Sequence, residues 1–241
     1  MRLSRVYLAA SLQLNSQISL PKETAHYLSN VLRLRIDDEL LVFNAADGEF
    51  LARVCDASKR AVEIELVELK REPQNESGLS LHLLLGLSRG DRMDFAVQKS
   101  TELGVREITP VYTEYGEVRL KADRIEKKLQ HWQKIAISAC EQSGRIDVPV
   151  IHSPTALVNL TLAQEANRWM LEPRGSDSLP QSISDNRVEL LIGPEGGFSN
   201  TEIDWARENR FQIVSLGSRI LRTETAPVAA LAIMQHKYGD M

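Results

Sequence analysis

Apolar residues follow two different rhythms along this chain. Up to about residue 70 they come in short alternating runs. Ile18 and Leu20 alternate with polar neighbours. Leu40–Phe43 and Glu49–Val54 flank Asp47-Gly48, a hairpin signal. Val62, Ile64, Leu66 and Leu69 extend the alternation through Arg60–Leu69. One helix interrupts: Pro21 opens it, with Ala25, Leu28, Val31 and Leu32 on one face. Residues 1–72 therefore predict a small β-barrel. The polar stretch Lys70–Gly78, with Pro73, reads as a linker.

Beyond it, over residues 73–241, apolar blocks alternate with amphipathic stretches. Leu81–Leu87 predicts a buried strand, and Asp91 an N-cap for a helix that Gly104 closes. Ile108–Tyr112 is the next strand. Asp123 and Glu126 have capping-box spacing before a helix to about Gln142. Trp169–Leu171 and Val188–Ile192 predict central strands. Ser199 and Glu202 form a second capping box, opening a helix to about Asn209. Gln212–Leu216 is the last strand and Ala226–Tyr238 the last helix. This alternation predicts an α/β fold with a parallel sheet covered on both faces.

Composition narrows the function classes. Of 241 residues, 43% are hydrophobic and 26% charged, ordinary values that exclude a disordered chain. The longest apolar stretch, Ala226–Met234, falls short of the ~20 residues a membrane helix needs. The N-terminal run is broken at Ser11 and Gln13, so no export signal is read and a cytoplasmic location is expected. Cys55 and Cys140 form neither a disulfide framework nor a zinc set and are expected to be buried thiols. His82, His131, His152 and His236 show no metal spacing, and no metal is expected. His26 reads as a core histidine, and Trp132, Trp169 and Trp205 as packing residues. Lys99 and Glu102 form either a polar face or an inter-subunit contact. A net charge of -4 excludes binding nucleic acid by bulk positive charge. A local basic segment remains: Gly116–Arg145 holds seven Lys/Arg against four Asp/Glu. A solvated helix face explains it equally well. Aromatics are too few and scattered for a base-stacking platform.

Ligands in open α/β sheets bind beyond the carboxyl ends of the strands. Three loops there stand out. Gly193-Pro-Glu-Gly-Gly197 lets backbone approach a ligand closely, yet lacks both the Walker lysine and the dinucleotide fingerprint. Leu216–Thr225 holds two arginines and a carboxylate around Ile220 and Leu221, which are expected to fold back against the sheet. Leu171–Gly175 ends a strand at Pro173.

Together with Arg2-Leu-Ser-Arg5, His26–Leu34 (HYLSNVLRL), Asp94–Gly104 (DFAVQKSTELG) and Glu141–Arg145 (EQSGR), these loops carry a resemblance. With IGPEGGF at Ile192–Phe198 and LGSRILRTET at Leu216–Thr225, the chain resembles the RsmE family of bacterial 16S rRNA uridine-N3 methyltransferases, in the SPOUT superfamily. The matching stretches run in order along nearly the whole chain. The resemblance implies a PUA-like RNA-binding barrel, then a SPOUT-like α/β domain with a C-terminal trefoil knot. It implies a homodimer methylating uridine N3 with S-adenosylmethionine, taken here to act on the assembled small ribosomal subunit. Where many members have Arg after Ser/Thr-Glu, this chain has Tyr115; Arg119 or Lys121 are candidate substitutes.

In that frame the expected cofactor-binding residues are Leu171, Glu172, Gly193, Pro194, Glu195, Gly196, Gly197, Leu216, Gly217, Ile220, Leu221, Thr223 and Thr225. Arg222 is the catalytic candidate, stabilising the negative charge that builds on uracil O2 and O4. Its alternative is a salt bridge to Glu224 or Glu195. Glu224, a carboxylate, is a weak base for the N3 proton, and no general base is assigned. Arg2, Arg5, Arg33, Arg35, Arg119 and Lys121 are the candidate RNA contacts. Two other functions are consistent with parts of the pattern. One is a catalytically silent RNA-binding protein on the same scaffold. The other is an α/β enzyme using Gly193–Gly197 as a phosphate cradle.

Overall fold

A computed structural model describes residues 3–31, 33–57, 62–73, 78–175 and 177–241. Arg2, Leu32, Arg60 and the middle of the expected linker lie outside the described residues. The chain divides into two units: Met1–Glu76 with Cys140–Val148, and Ser77–Ala139 with Pro149–Met241.

The alternating runs of the first unit become β1 (Arg5–Tyr7), β2 (Gln17–Ser19), β3 (Glu39–Asn44), β4 (Gly48–Ala57) and β5 (Val62–Arg71). They form one sheet in the order β1-β3-β4-β5-β2. Strands β3, β4 and β5 run antiparallel, with register shifts along β4–β5, and β1 joins β3 in parallel. The expected barrel thus has β1 and β2 as the two ends of its strand path. Leu40, Val42, Ala52, Val54, Ile64 and Leu66 turn one face inward as period two demands. At the hairpin, Gly48 takes φ +97°, a left-handed conformation natural to glycine. Asp47 accepts the Leu12 N–H at 2.9 Å and an Asn44 amide N–H at 3.0 Å, which holds its carboxyl below the usual range. The helix after Pro21 lasts only from Lys22 to His26 (α1) and continues as a π turn over Tyr27–Val31. His26 is exposed, not a core residue.

Residues Cys140–Val148 belong to this unit although they lie far beyond the expected boundary at 72. Phe43 faces away from the inner core and packs with Cys140, Ile146, Tyr7 and Val148. Arg5 ties the segment down. Its Nε donates to Glu49 at 2.7 Å, and its terminal nitrogens donate to the carbonyls of Cys140 (2.6 Å), Glu141 (3.3 Å) and Arg145 (3.1 Å). The guanidinium also lies 4.3 Å from the Phe43 ring centre. With its side chain 6% exposed and its N–H groups engaged, Arg5 has no donor left for a phosphate. The expectation that it contacts RNA is therefore corrected: the residue is structural. Cys140 is buried as expected, whereas Cys55 is exposed.

The second unit holds β6 (Ser80–Gly86), α2 (Gly90–Glu102), β7 (Glu107–Tyr112), α3 (Ala122–Ser143, ending in the first unit), β8 (Val150–Ile151) and β9 (Thr155–Ala156). It continues with β10 (Asn167–Leu171), β11 (Arg187–Ile192), α4 (Asn200–Glu208), β12 (Gln212–Val214) and α5 (Thr225–Tyr238). The sheet order is β12-β10-β11-β6-β7-β8, with β9 also on β7, and every pair is parallel. Leu81, Leu83, Leu84 and Leu85 of β6 and Leu190–Ile192 of β11 are buried on both faces, so these strands read as continuous apolar runs. Asp91 lies inside the first turn of α2 and is not its cap; Arg89 holds that position. The Ser199–Glu202 capping box is fully formed. Trp132 and Trp169 are buried, as packing residues should be.

The chain leaving β10 encloses the end of β12. The Glu172 N–H donates to Val214 O, and the Asp177 N–H donates to Ile213 O while Asp177 O accepts from Ser215. Backbone groups of neighbouring strand residues point to opposite edges, so one segment occupies both edges of β12. At the crossing, a Cβ on Gly175 would lie 2.8 Å from Ile213 O. Among the described residues no helix is long and apolar enough to cross a membrane.

Arg5→Ala should destabilise the protein by about 3–5 kcal/mol, the cost of leaving Glu49 and three carbonyls without their buried partner. Urea unfolding measures it. An unfolding midpoint unchanged from wild type would show that Arg5 holds nothing together.

Candidate active site

The strand order reverses direction at β6: β7 follows on one side, and β11 and β10 lie on the other. At such a switch the carboxyl ends of the strands diverge and leave a crevice. Here the loops leaving β10, β11 and β12 line a single cavity of about 460 Å³.

The glycine loop forms one wall. Gly86, at the end of β6, is pressed against it: a Cβ there would lie 2.7 Å from Gly193 C and inside the following peptide. Gly193 faces the Phe198 ring, where a Cβ would come within 2.9 Å. The loop turns through Gly197 N–H to Pro194 O (2.9 Å), with Gly197 at φ +69°, and enters α4 at the capping box.

Leu171, Ile192, Pro194, Leu216 and Leu221 supply apolar surface. Charges of both signs surround it. Arg92 of α2 donates to Glu195 at 2.7 Å, and this contact raises its pKa, with Glu224 adding to the effect. One Glu224 oxygen is buried without a hydrogen-bond partner. Arg222 is exposed on the rim and makes no ion pair among the described residues. Glu195 is taken by Arg92, so the structural alternative for Arg222 finds no partner there. The cavity can therefore hold a ligand with a flat apolar part, a cationic centre and an anionic end.

Of the expected cofactor contacts, Leu171, Glu172, Gly193, Pro194, Glu195, Gly197, Leu216, Gly217, Ile220, Leu221 and Thr223 line the cavity, as does Arg222. Gly196 and Thr225 do not. Gly196 instead abuts Tyr115, where a Cβ would meet the Tyr115 carbonyl oxygen at 2.7 Å, and Thr225 opens α5. Ile220 is 81% exposed, which corrects the expectation that it folds back against the sheet; Leu221 is half-buried. Arg92, Pro173, Ile192, Phe198, Arg219, Glu224 and Ala226 also line the cavity and were not among the expected cofactor contacts. Pro173, Arg219 and Glu224 lie inside loops already singled out, and Ile192, Phe198 and Ala226 flank them, but nothing local in the sequence marks Arg92.

The candidate RNA contacts are distributed over both units. Arg33 and Arg35 are exposed in the first, with Arg33 at φ +56°. Lys121 and Arg119 are exposed in the second. Arg119 donates to Thr113 O at 2.7 Å and lies 5.1 Å from the Tyr112 ring centre.

A half-open cavity at the switch point of a parallel sheet, built by three loops, defines an α/β ligand-binding enzyme scaffold. Residues 75–235 match the RNA methyltransferase domain family, and residues 20–67 match the RNA methyltransferase PUA domain. The chain is 39% identical to ribosomal RNA small subunit methyltransferase E of Buchnera aphidicola from Schizaphis graminum, covering all of this chain and 98% of that one. It is 33% identical to the Rickettsia conorii protein of the same name, covering 96% and 95%. Among solved structures it superposes on a Legionella pneumophila methyltransferase in complex with the cofactor SAM (TM-score 0.92, 36% identity, both chains fully covered). The Neisseria gonorrhoeae ribosomal RNA small subunit methyltransferase E, bound to S-adenosyl methionine, superposes at TM-score 0.91 with 37% identity over both full chains. The chain belongs to the ribosomal RNA small subunit methyltransferase E (RsmE) family.

Gly86→Ala should cost about 1–3 kcal/mol, because the added methyl group has no space beside Gly193 and Pro194. Gly78→Ala, with open space around it, is the control. Equal unfolding midpoints for the two variants would refute the close contact.

Proposed function

We propose that the protein transfers a methyl group from S-adenosylmethionine to N3 of a uridine in 16S rRNA. The observation that carries this reading is the cavity itself, formed by the residues that resemble the family's cofactor loops. Its volume falls in the ~300–1,000 Å³ range of small-molecule sites. The chemistry of the lining fits the cofactor. Leu171, Ile192, Leu216 and Leu221 offer surface to an adenine ring. The peptides of Gly193 and Gly197 admit close polar contacts. The unpartnered Glu224 oxygen, with Glu172, suits a cationic group, and Arg219 suits a carboxylate.

The bound cofactor supplies a sulfonium methyl group open to in-line displacement. The protein's part is positioning and electrostatics. As the imide proton leaves N3, negative charge spreads onto uracil O2 and O4. Arg222, at the cavity rim without an ion-pair partner, has its donors available for that charge. Its own carbonyl accepts from the Thr225 and Ala226 N–H groups at 2.9 Å each, which ties the loop to the start of α5.

The substrate is taken to be the assembled small subunit, where RNA shape selects the site, because a net charge of -4 gives little general attraction to RNA. Arg33, Arg35, Arg119 and Lys121 would contact phosphates. The barrel is the RNA-binding part and the α/β unit the methyltransferase. The segment enclosing β12 supports a trefoil knot at this end of the sheet. The working form is a cytoplasmic homodimer.

The test is methyl transfer from labelled S-adenosylmethionine to unmodified small subunits, with the product nucleoside identified. The expected product is 3-methyluridine, formed faster on assembled subunits than on naked 16S RNA. Cofactor binding without transfer to either would refute the substrate, and absence of cofactor binding would refute the enzyme. Arg222→Ala should lower kcat about 10²–10³-fold, the size of losing one charge-stabilising donor. Its affinity for the cofactor, read by calorimetry, should stay near wild type. Equal loss of both would show that Arg222 only binds.

A further inference from the structure

At the amino ends of the strands, away from the cavity, the register builds a polar row across four neighbours. Arg168 of β10 lies beside Glu189 of β11, Glu189 beside His82 of β6, and His82 beside Glu107 of β7. Polar groups in a sheet covered on both faces need partners. One half of the row is closed. Glu189 accepts from Arg168 Nε at 2.8 Å and from the Ala163 N–H at 2.7 Å, which occupies both of its oxygens.

The other half is not closed. Thr109 Oγ1 lies 2.8 Å from His82 Nε2, but His82 Nδ1 is buried with no partner. His152, just past β8, stands with its ring centre 5.5 Å from that of His82. Its Nε2 lies 2.9 Å from Glu107 Oε2, while Arg187 holds Glu107 Oε1 at 3.0 Å. One donor atom from each of His82, Glu107 and His152 lies within 4.8 Å of the others. Methyl transfer uses none of these residues.

We propose that His82, Glu107 and His152 form a zinc site. Two imidazoles and one carboxylate are a donor set zinc takes when a fourth position stays open to water. The surrounding contacts suit that role. Thr109 engages one ring nitrogen of His82 and leaves the other for a metal. Arg187 orients Glu107 through one oxygen and leaves the second. The donor types select among metals: imidazoles favour zinc and its neighbours over hard cations, which take oxygen ligands. Tetrahedral zinc donors sit about 3.5 Å apart, at bond lengths of about 2.0–2.2 Å. The site must therefore contract on binding. His152 is the part that moves, giving up its contact with Glu107, because its side chain is 41% exposed. The consequence is structural. Zinc would staple β8, which is paired to β7 at only two register positions, onto β6 and β7.

The experiment uses the full chain freed of metal by a chelator. Zinc is titrated by calorimetry and cobalt by its visible absorption. One equivalent per chain is expected, with the cobalt bands of a four-coordinate site. His152→Ala and Glu107→Gln should each weaken zinc by at least about tenfold, a loss that even outer-contact changes can reach. His131→Ala, whose ring pairs with Asp94 elsewhere on the surface, should bind like wild type. Zinc should raise the melting temperature of wild type and not of His152→Ala. Absence of stoichiometric uptake, or uptake that His152→Ala leaves unchanged, overturns the site. Binding of S-adenosylmethionine to each variant should be unaltered, so failure here and failure of the methyltransferase reading are read separately.

Discussion

A hydrogen atom is all that Gly86 can place between the end of β6 and the peptide joining Gly193 to Pro194. That contact fixes the path of the glycine loop as it leaves the sheet. The loop's course places Phe198 over Gly193 and delivers the chain to the Ser199 capping box at a set angle. Helix α4 and strand β12 follow from there, and with β12 the arginine-bearing loop that lines the cavity. The strands behind the loop are continuous apolar runs buried on both faces, so the wall has little freedom to yield.

What was legible in the sequence was what local rules decide. The capping box at Ser199, the left-handed glycine after Asp47 and the apolar strands β6 and β11 each depend on residues a few positions apart. The three cavity loops were legible for a related reason: each directly follows a strand, and strand ends set where ligands bind. The features that escaped are set by distant partners. Arg92 reaches the cavity from a helix some hundred residues away in sequence from the loop it touches. Ile220 lies in solvent although its chemistry favours burial. The row from Arg168 to Glu107 is a property of strand register and has no signature in spacing.

The arginines show why counting charges locates a binding face poorly. Arg5 and Arg168 spend their donors inside the protein, on Glu49 and Glu189 and on nearby carbonyls. Arg187 holds Glu107, and Arg145 is buried. Arg33, Arg35 and Arg222 are exposed. Guanidinium groups satisfy several carbonyls at once, so the residue type best suited to phosphate is also the one best suited to tying loops together. Net charge cannot separate the two uses; only the donor-by-donor account does.

The first unit is not a contiguous stretch of chain. Its Arg5 finds its carbonyl partners at residues 140, 141 and 145, and its Phe43 packs against Cys140 and Ile146. During synthesis on the ribosome, the barrel strands are therefore complete long before the segment that covers them has been made. Until residue 148 has emerged, Arg5 and Phe43 must stay in contact with water. The amino-terminal unit is thus complete only after β6 and β7 of the α/β unit have been synthesised, although the sequence presents the two units in succession.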